Sequence, residues 1–545
     1  MTDQLQAGDY DAVVIGAGFA GIYSLYRLRE SGLSVHGFEA GTGVGGTWYW
    51  NRYPGARCDS ESMYYSYSFL TELEQEWPLT ERYPGQPDIL RYIEAAAARL
   101  DVARDFTFGV RVEGLTFDEE AGRWQVRTSD GTTVTAKYVV TAVGCLSSVN
   151  LPDYPGSDQF AGLTLYTARW PHEPVDLTGK RVGVIGTGAS GIQSIPVIAE
   201  QAAHLTVFQR TPQFTIPAGN GPLDPQMVEL WKANYQEWRR RGRLSTGGAP
   251  LPPAERRAAE ATPEERRALY ERCWSQGGPT ILFGAFSDLL IDEWANSTAA
   301  DFVRSKIDEI VTDPDVAEML KPTGYPFATK RLPLDTNYYA TYNRPNVTLV
   351  NLRSTPIEEI TAGGVRTSER EHELDVLVYA TGFDALTGPL LAMRIAGRGG
   401  VTLAERWADG PSTYLGLAVP GFPNLFTVTG PGSPSVLSNM PVSIEQHVEW
   451  IGDCIHYLEA NGVVAAEASE EATASWTRHV QDEAAGTLFP KAASWYMGAN
   501  VPGKPRLFLP YVGGLLKYRT ACDEIAADGY KGFQLTVAEP VPGGV

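Results

Sequence analysis

Apolar and β-branched residues gather in two short runs that each end in glycines: DAVVIGAGFAG from Asp11 to Gly21, and RVGVIGTGASG from Arg181 to Gly191. Behind each, apolar positions recur at helical spacing, in IYSLYRLRE and in IQSIPVIAEQA. Strand, Gly-x-Gly-x-x-Gly turn, helix is the order that a dinucleotide-binding turn requires. Two such openings predict two nucleotide sites. Between them, FDEEAGRWQVRTSDGTTVTAKYVVTAVG alternates apolar and polar positions around Asp130-Gly131, which predicts a hairpin running into a buried strand at Tyr138 to Val143. A Pro- and Gly-rich stretch, Leu151 to Lys180, reads as the crossing into a second domain. From Arg210 to about Pro322 charged helical patterns alternate with Pro and Gly breaks, as in QMVELWKANYQEWRRRGR and PAERRAAEATPEERRALYERCW. HELDVLVYATGFD, His372 to Asp384, reads as a second returning strand, and SIEQHVEWIGDCIHYLEA as a helix.

The pattern predicts an α/β fold: two Rossmann-like dinucleotide-binding domains with an inserted helical subdomain. The expected divisions are residues 1–148 and 383–545 for a discontinuous FAD-binding domain, 149–216 and 323–382 for an NADP-binding domain, and 217–322 for the insertion. A length of 545 residues agrees with two to four domains, and 43% hydrophobic residues supply a sizeable core. With 45 Lys and Arg against 65 Asp and Glu, the net charge of −20 argues against a nucleic-acid partner. The basic run Arg239 to Arg243 reads as a solvated helix face without function. Five scattered cysteines, Cys58, Cys145, Cys273, Cys454 and Cys522, give neither a C-x-x-C nor a ligand-like pairing with the seven histidines, so no metal is expected. The N-terminal MTDQLQAGDYD is polar and acidic, and no run reaches the ~18 apolar residues of a spanning helix, so a soluble, reduced, cytoplasmic protein with no membrane partner is expected.

Within the first turn, Gly16 permits the bend, Gly18 lets the backbone approach a pyrophosphate, and Gly21 lets the helix pack closely. Glu39 ends the following strand, LSVHGFE, where a carboxylate accepts hydrogen bonds from a ribose diol. Gly186, Gly188 and Gly191 repeat the turn, but the strand HLTVFQR ends in Arg210 followed by Thr211. A guanidinium there pairs with a 2′-phosphate that an acid would repel. The pair of turns therefore fits FAD first and NADPH/NADP+ second. Disulfide reductases share this plan but need a redox Cys pair, which is missing, so oxygen is the expected electron acceptor.

Over nearly its whole length the chain resembles the type I Baeyer–Villiger monooxygenases, with phenylacetone monooxygenase the most similar member and steroid and cyclohexanone monooxygenases less so. The likeness rests on VGGTWYWNRYPGARCDSES, FAGLTLYTARWPHEP, GYPFATKR, LVYATGFD, GPGSPSVLSNM and SWYMGANVPGKPR. One family signature, Gly-Gly-x-Trp-x-x-x-x-Tyr-Pro-Gly-x-x-x-Asp, is matched in full by Gly45, Gly46, Trp48, Tyr53, Pro54, Gly55 and Asp59. The other, Phe-x-Gly-x-x-x-His-x-x-x-Trp, reads Phe160, Gly162, Tyr166, Trp170, with tyrosine in place of the histidine.

The resemblance implies insertion of one atom of O2 beside a ketone carbonyl, through a C4a-peroxyflavin, to give an ester or lactone. It places Trp48 and Gly46 at the flavin, Asp59 beside a catalytic Arg331, and Lys330 toward the NADP phosphate. It implies a substrate side of Leu146, Leu437, Met440 and Trp495, apolar residues suited to a hydrophobic ketone, with Trp495 also near the cofactor. Cys145 and Pro333 depart from phenylacetone monooxygenase, so no aryl-ketone preference is carried over. A monomer or weak homodimer is expected on the same ground. Two other readings stay open: a flavin monooxygenase oxidising sulfides or amines, and a non-catalytic flavin/NADPH redox sensor.

Overall fold

The computed structural model describes residues 8–251 and 253–537. The outermost ends expected for the first domain, residues 1–7 and 538–545, lie outside that range, as does Pro252 of the insertion. Asp9–Ile15 is the strand of the first run, and it lies parallel to both Val35–Glu39 and Thr133–Thr141. Its Val13 and Val14 are fully buried, which is why the sequence shows an unbroken apolar run there rather than an alternation. The expected hairpin is present: Arg123–Thr128 pairs antiparallel with Thr133–Thr141 around Gly131, whose φ of +86° suits glycine.

Eight strands make up this first sheet. Two of them, Arg394–Ala396 and Leu425–Thr427, come from the C-terminal third. Helix Met440–Ala460 comes from the same third and lays Ile444, Val448 and Ile451 into one core with Ile22 and Leu25 of helix Phe19–Glu30.

A second sheet holds five parallel strands in the order Val347–Asn351, His204–Gln209, Arg181–Ile185, Val376–Tyr379, Leu163–Tyr166. The returning strand falls inside HELDVLVYATGFD, as the pattern predicts. The Pro- and Gly-rich crossing does more than cross, because Leu163–Tyr166 within it forms an edge strand of this sheet.

Between the sheets' contributions, helices Pro225–Ala233, Tyr235–Arg243, Pro263–Gln276, Glu293–Ile310 and Pro314–Leu320 make up the inserted region. Pro263–Gln276 and Glu293–Ile310 share an apolar core that includes Tyr270, Phe286, Phe302 and Val303, whereas Trp231 and Tyr235 of the first two helices pack with Met63 and Tyr64, and Ala317 and Leu320 of the last join the core of the second sheet. QMVELWKANYQEWRRRGR, which reads as one helical stretch, is two helices meeting at Asn234. Among the described residues no helix is long and apolar enough to cross a membrane.

The reading of Arg239–Arg243 as a solvated face needs correction at its first residue. Arg239 is only 4% exposed. Its guanidinium lies 2.9 Å from Glu74 Oε1, and it donates to Tyr64 O and to the Ser66 and Tyr235 hydroxyls. Glu445, buried beside this group, accepts from the amide and hydroxyl of Ser68. Burial pushes the Glu74 carboxyl up to about 8 against the pull of Arg239, and raises Glu445 as well. One buried cation thus serves two buried carboxyls and pins the insertion to the first sheet's unit.

Candidate active site

The two Gly-rich turns share one geometry. Gly16 and Gly186 have φ of +104° and +111°, values that an L side chain adopts only with strain. A Cβ on Gly21 would lie 1.7 Å from Gly16 O, and one on Gly191 2.3 Å from Gly186 O. These two glycines close the turns against themselves and do not line the cavity. The middle glycines differ. Gly18 meets Gly46 of the signature loop, where a Cβ on Gly46 would lie 2.8 Å from Gly18 Cα, whereas a Cβ on Gly188 would meet nothing within 4 Å. Glu39 is buried at its strand end and accepts from Ala17 N at 2.8 Å and Gly41 N at 2.6 Å. It braces the first turn and keeps lone pairs for ribose hydroxyls.

A continuous cavity of about 2020 Å³ runs from Gly16, Gly18 and Glu39 past Gly46, Trp48, Asp59 and Arg331 to Gly186, Gly188, Arg210, Thr211 and Lys330. At its middle, one carboxylate oxygen of Asp59 accepts from both Nε and Nη2 of Arg331, at 3.2 and 3.0 Å. Arg331 Nη1 donates to Val436 O at 3.3 Å, and Gln213 Nε2 donates to Arg331 O. Burial works against the charge on Arg331, but the Asp59 carboxylate outweighs it and keeps the guanidinium protonated. The second oxygen of Asp59 is buried with no protein partner, an acceptor available to a bound group. Trp48 donates from Nε1 to the Tyr65 hydroxyl at 3.2 Å, which fixes its ring at the cavity wall.

At the far end Lys330 Nζ lies 4.5 Å from the centre of the Tyr325 ring. Burial, then the nearby charges of Arg210 and Arg353, lower its ammonium to about 8. Arg353 is a cation that the sequence reading missed. The backbone bond from Leu352 N to Gln209 O, 2.8 Å, brings it to the same sheet edge as Arg210. None of the three forms an ion pair among the described residues. In a chain of net charge −20, two unpaired cations lining one opening, Arg210 and Lys330, with Arg353 close enough for its charge to act on Lys330, suit a phosphate. Thr211 lines the same opening, and its carbonyl accepts from Thr187 Oγ1 at 3.1 Å. The residues therefore fit FAD at the first turn and NADP at the second.

Leu146, Leu437, Met440 and Trp495, which come from three separate segments of the chain, meet in one apolar cluster with Cys145, Val436 and Phe489, and all four line the cavity. Cys145 lines it too, whereas Pro333 packs behind it, its carbonyl accepting from Ile216 N. The insertion, expected from sequence only as a helical subdomain, supplies a further wall in Leu244, Leu251, Phe286, Leu289 and Leu290. All five cysteines are buried and unpaired, and burial pushes the thiols nearest Arg331 up, Cys58 to about 12 and Cys145 to about 11. Neither is a ready thiolate.

A family model described as pyridine nucleotide-disulphide oxidoreductase matches residues 10–232, which agrees with the shared nucleotide-binding plan. A Baeyer–Villiger monooxygenase from Pseudooceanicola batsensis is 45% identical over 525 residues, covering 96% of this chain and 95% of that protein. The chain belongs to the Baeyer–Villiger monooxygenase family. A phenazine N-monooxygenase from Lysobacter antibioticus is also 45% identical, over 532 residues, with 96% and 97% covered. Among solved structures, an oxidised steroid monooxygenase bound to NADP superposes with a TM-score of 0.93 at 52% identity, covering 97% of this chain and all of that one.

The chain departs from the family's pattern at Tyr166, which ends the edge strand Leu163–Tyr166 and stacks on Tyr379 of the neighbouring strand, ring centres 5.3 Å apart. Thr167, the next residue, donates to Ser190 Oγ at 3.1 Å, at the start of the helix that follows the second turn. Trp170 is buried in the core of the second sheet. The linker motif thus packs on the second unit and leaves the Asp59–Arg331 pair untouched.

Proposed function

We propose that this chain is an FAD- and NADPH-dependent monooxygenase that inserts one atom of O2 beside the carbonyl of an apolar ketone, giving an ester or lactone. The observation that carries this reading is the Asp59–Arg331 pair, set in one cavity between two dinucleotide turns and faced by the Leu146, Leu437, Met440 and Trp495 cluster. Bound FAD, reduced by NADPH, supplies the oxygen-activating chemistry. The chain supplies the surroundings. Helix N-termini behind Gly18 and Gly188 face the diphosphates, Glu39 accepts from ribose, and Arg210, Thr211 and Lys330 hold the 2′-phosphate. Arg331 is a fixed positive charge where negative charge builds on oxygen, and Asp59 holds it in place. The apolar wall excludes water.

The test is a panel of linear, aryl, cyclic and fused-ring ketones, the last suggested by the steroid monooxygenase likeness. Ketone-dependent NADPH oxidation yielding an ester or lactone is expected. No such product from any member, with FAD fully bound, would overturn the reading. A second reading, oxygenation of a nitrogen nucleophile, is favoured by the phenazine N-monooxygenase relative. It predicts N-oxide formation that survives loss of the Arg331 charge, because an electron-rich nitrogen attacks oxygen and builds no oxyanion at carbon.

The Lys330 ammonium, lowered to about 8, makes cofactor affinity depend on pH. A bound 2′-phosphate holds the proton that the free enzyme sheds above about pH 8, so the Kd for NADP rises above that pH by up to about tenfold per unit. Calorimetric titrations from pH 7 to 9.5 are expected to show this for NADP and a flat profile for NAD. A flat NADP profile would remove Lys330 from the phosphate site.

A further inference from the structure

Gln193 sits in the first turns of helix Ala189–Gln201, behind the second Gly-rich turn, yet its side chain is spent on the other nucleotide unit. Its Oε1 accepts from the Tyr53 hydroxyl at 2.8 Å and from Arg57 N at 3.3 Å, while Nε2 donates to Arg57 O at 3.1 Å. The amide therefore grips both backbone groups of one residue, as a neighbouring strand would, and both acceptor sites of its oxygen are occupied. Beside it, Gly55 has φ of +80°, and a Cβ there would lie 2.3 Å from Gln193 O. Only glycine lets the signature loop press this closely on the helix. Two residues beyond Arg57 the same loop carries Asp59, whose carboxylate holds Arg331.

On the monooxygenase reading above, we propose that Gln193 is a positioning residue that sets the Asp59–Arg331 pair against the NADP-binding helix. The path has short links: the helix facing the NADP diphosphate, the Gln193 amide, the Arg57 backbone, Asp59, and the Arg331 guanidinium. Gln193 touches no reacting atom on this path. It fixes the distance between the two units at the level of the catalytic charge, so that the charge stands correctly only when the second unit is docked.

The test compares Gln193→Leu, Tyr53→Phe, Asp59→Asn and the double variant Gln193→Leu/Asp59→Asn, each as FAD holoenzyme. For Gln193→Leu, kcat with a ketone turned over by the parent is expected to fall about 10- to 100-fold, while KM and the calorimetric Kd for NADP, measured without ketone, change less than about threefold. Tyr53→Phe, which removes one contact and keeps the ring, is expected to lower kcat by about threefold to tenfold. Because Gln193 acts through Asp59, the double variant is expected to be no slower than Asp59→Asn alone. Multiplying losses in the double variant, unchanged kcat in Gln193→Leu, or a loss confined to NADP affinity would each overturn the proposal. Absence of ketone turnover in the parent would instead overturn the monooxygenase reading.

Discussion

Replacing Arg331 with alanine is expected to cut ketone oxygenation by about 10³-fold while NADPH still reduces the flavin within about tenfold of the parent rate. The expectation rests on placement. Arg331 faces the cavity, Asp59 and Val436 O orient its three nitrogens, and among the described residues Asp59 pairs with no other cation. A charge fixed before reaction costs no reorganisation when an oxyanion forms, and removing one such group typically costs about 10²- to 10³-fold. Hydride delivery between cofactors builds no oxyanion at the ketone, so that step is spared. Anaerobic flavin bleaching and aerobic ester formation, measured on the same preparation, separate the two steps. Equal loss of both would show that Arg331 serves only to bind cofactor.

At pH 9, Arg239→Met is expected to destabilise the fold by about 3–5 kcal/mol, the cost of leaving buried carboxyls without their cation. Glu74 and Glu445 stay buried, and only protonation relieves them. The sign of the pH dependence follows. In the parent the Glu74 carboxyl already stands near 8, against 4.5 for the unperturbed group. A raised folded-state pKa contributes stability that is present below about pH 4.5 and lost as pH rises through about 8. Without Arg239 the carboxyls rise further, so the deficit of the variant widens from pH 5 to pH 9. Denaturant melts at those two pH values check it, and a deficit independent of pH would mean that the carboxyls are not strained by burial.

Local features of the fold were legible in the sequence because local steric rules write them. Gly16 and Gly186 need left-handed backbone, Gly21 and Gly191 admit no Cβ, and the apolar run in Asp9–Ile15 reflects burial on both faces. The hairpin around Gly131 was legible for the same reason. Long-range meetings were not. Asp59 and Arg331 are 272 residues apart in the chain, and their pairing was anticipated only through family resemblance.

Arg239 reads as one arginine in a basic helix, and nothing local reveals that Glu74 and Glu445 bury it from other elements. Gln193 carries no charge and breaks no pattern, so only the loop pressed against it shows its role. The insertion's share of the cavity wall was missed because its apolar positions also make an ordinary helical core. Arg353 follows a strand that pairs with the Arg210 strand, so a parallel-sheet register could have found it.

Transfer of an oxygen atom from O2 to a ketone in the cavity around Arg331 leaves an isotopic trace in the product. The most direct measurement is turnover under oxygen-18 gas with NADPH and a ketone, followed by mass spectrometry of the ester or lactone. One heavy oxygen in each product molecule and one NADPH consumed per product are expected. NADPH consumption that ends in hydrogen peroxide, with no labelled ester from any ketone, would contradict it.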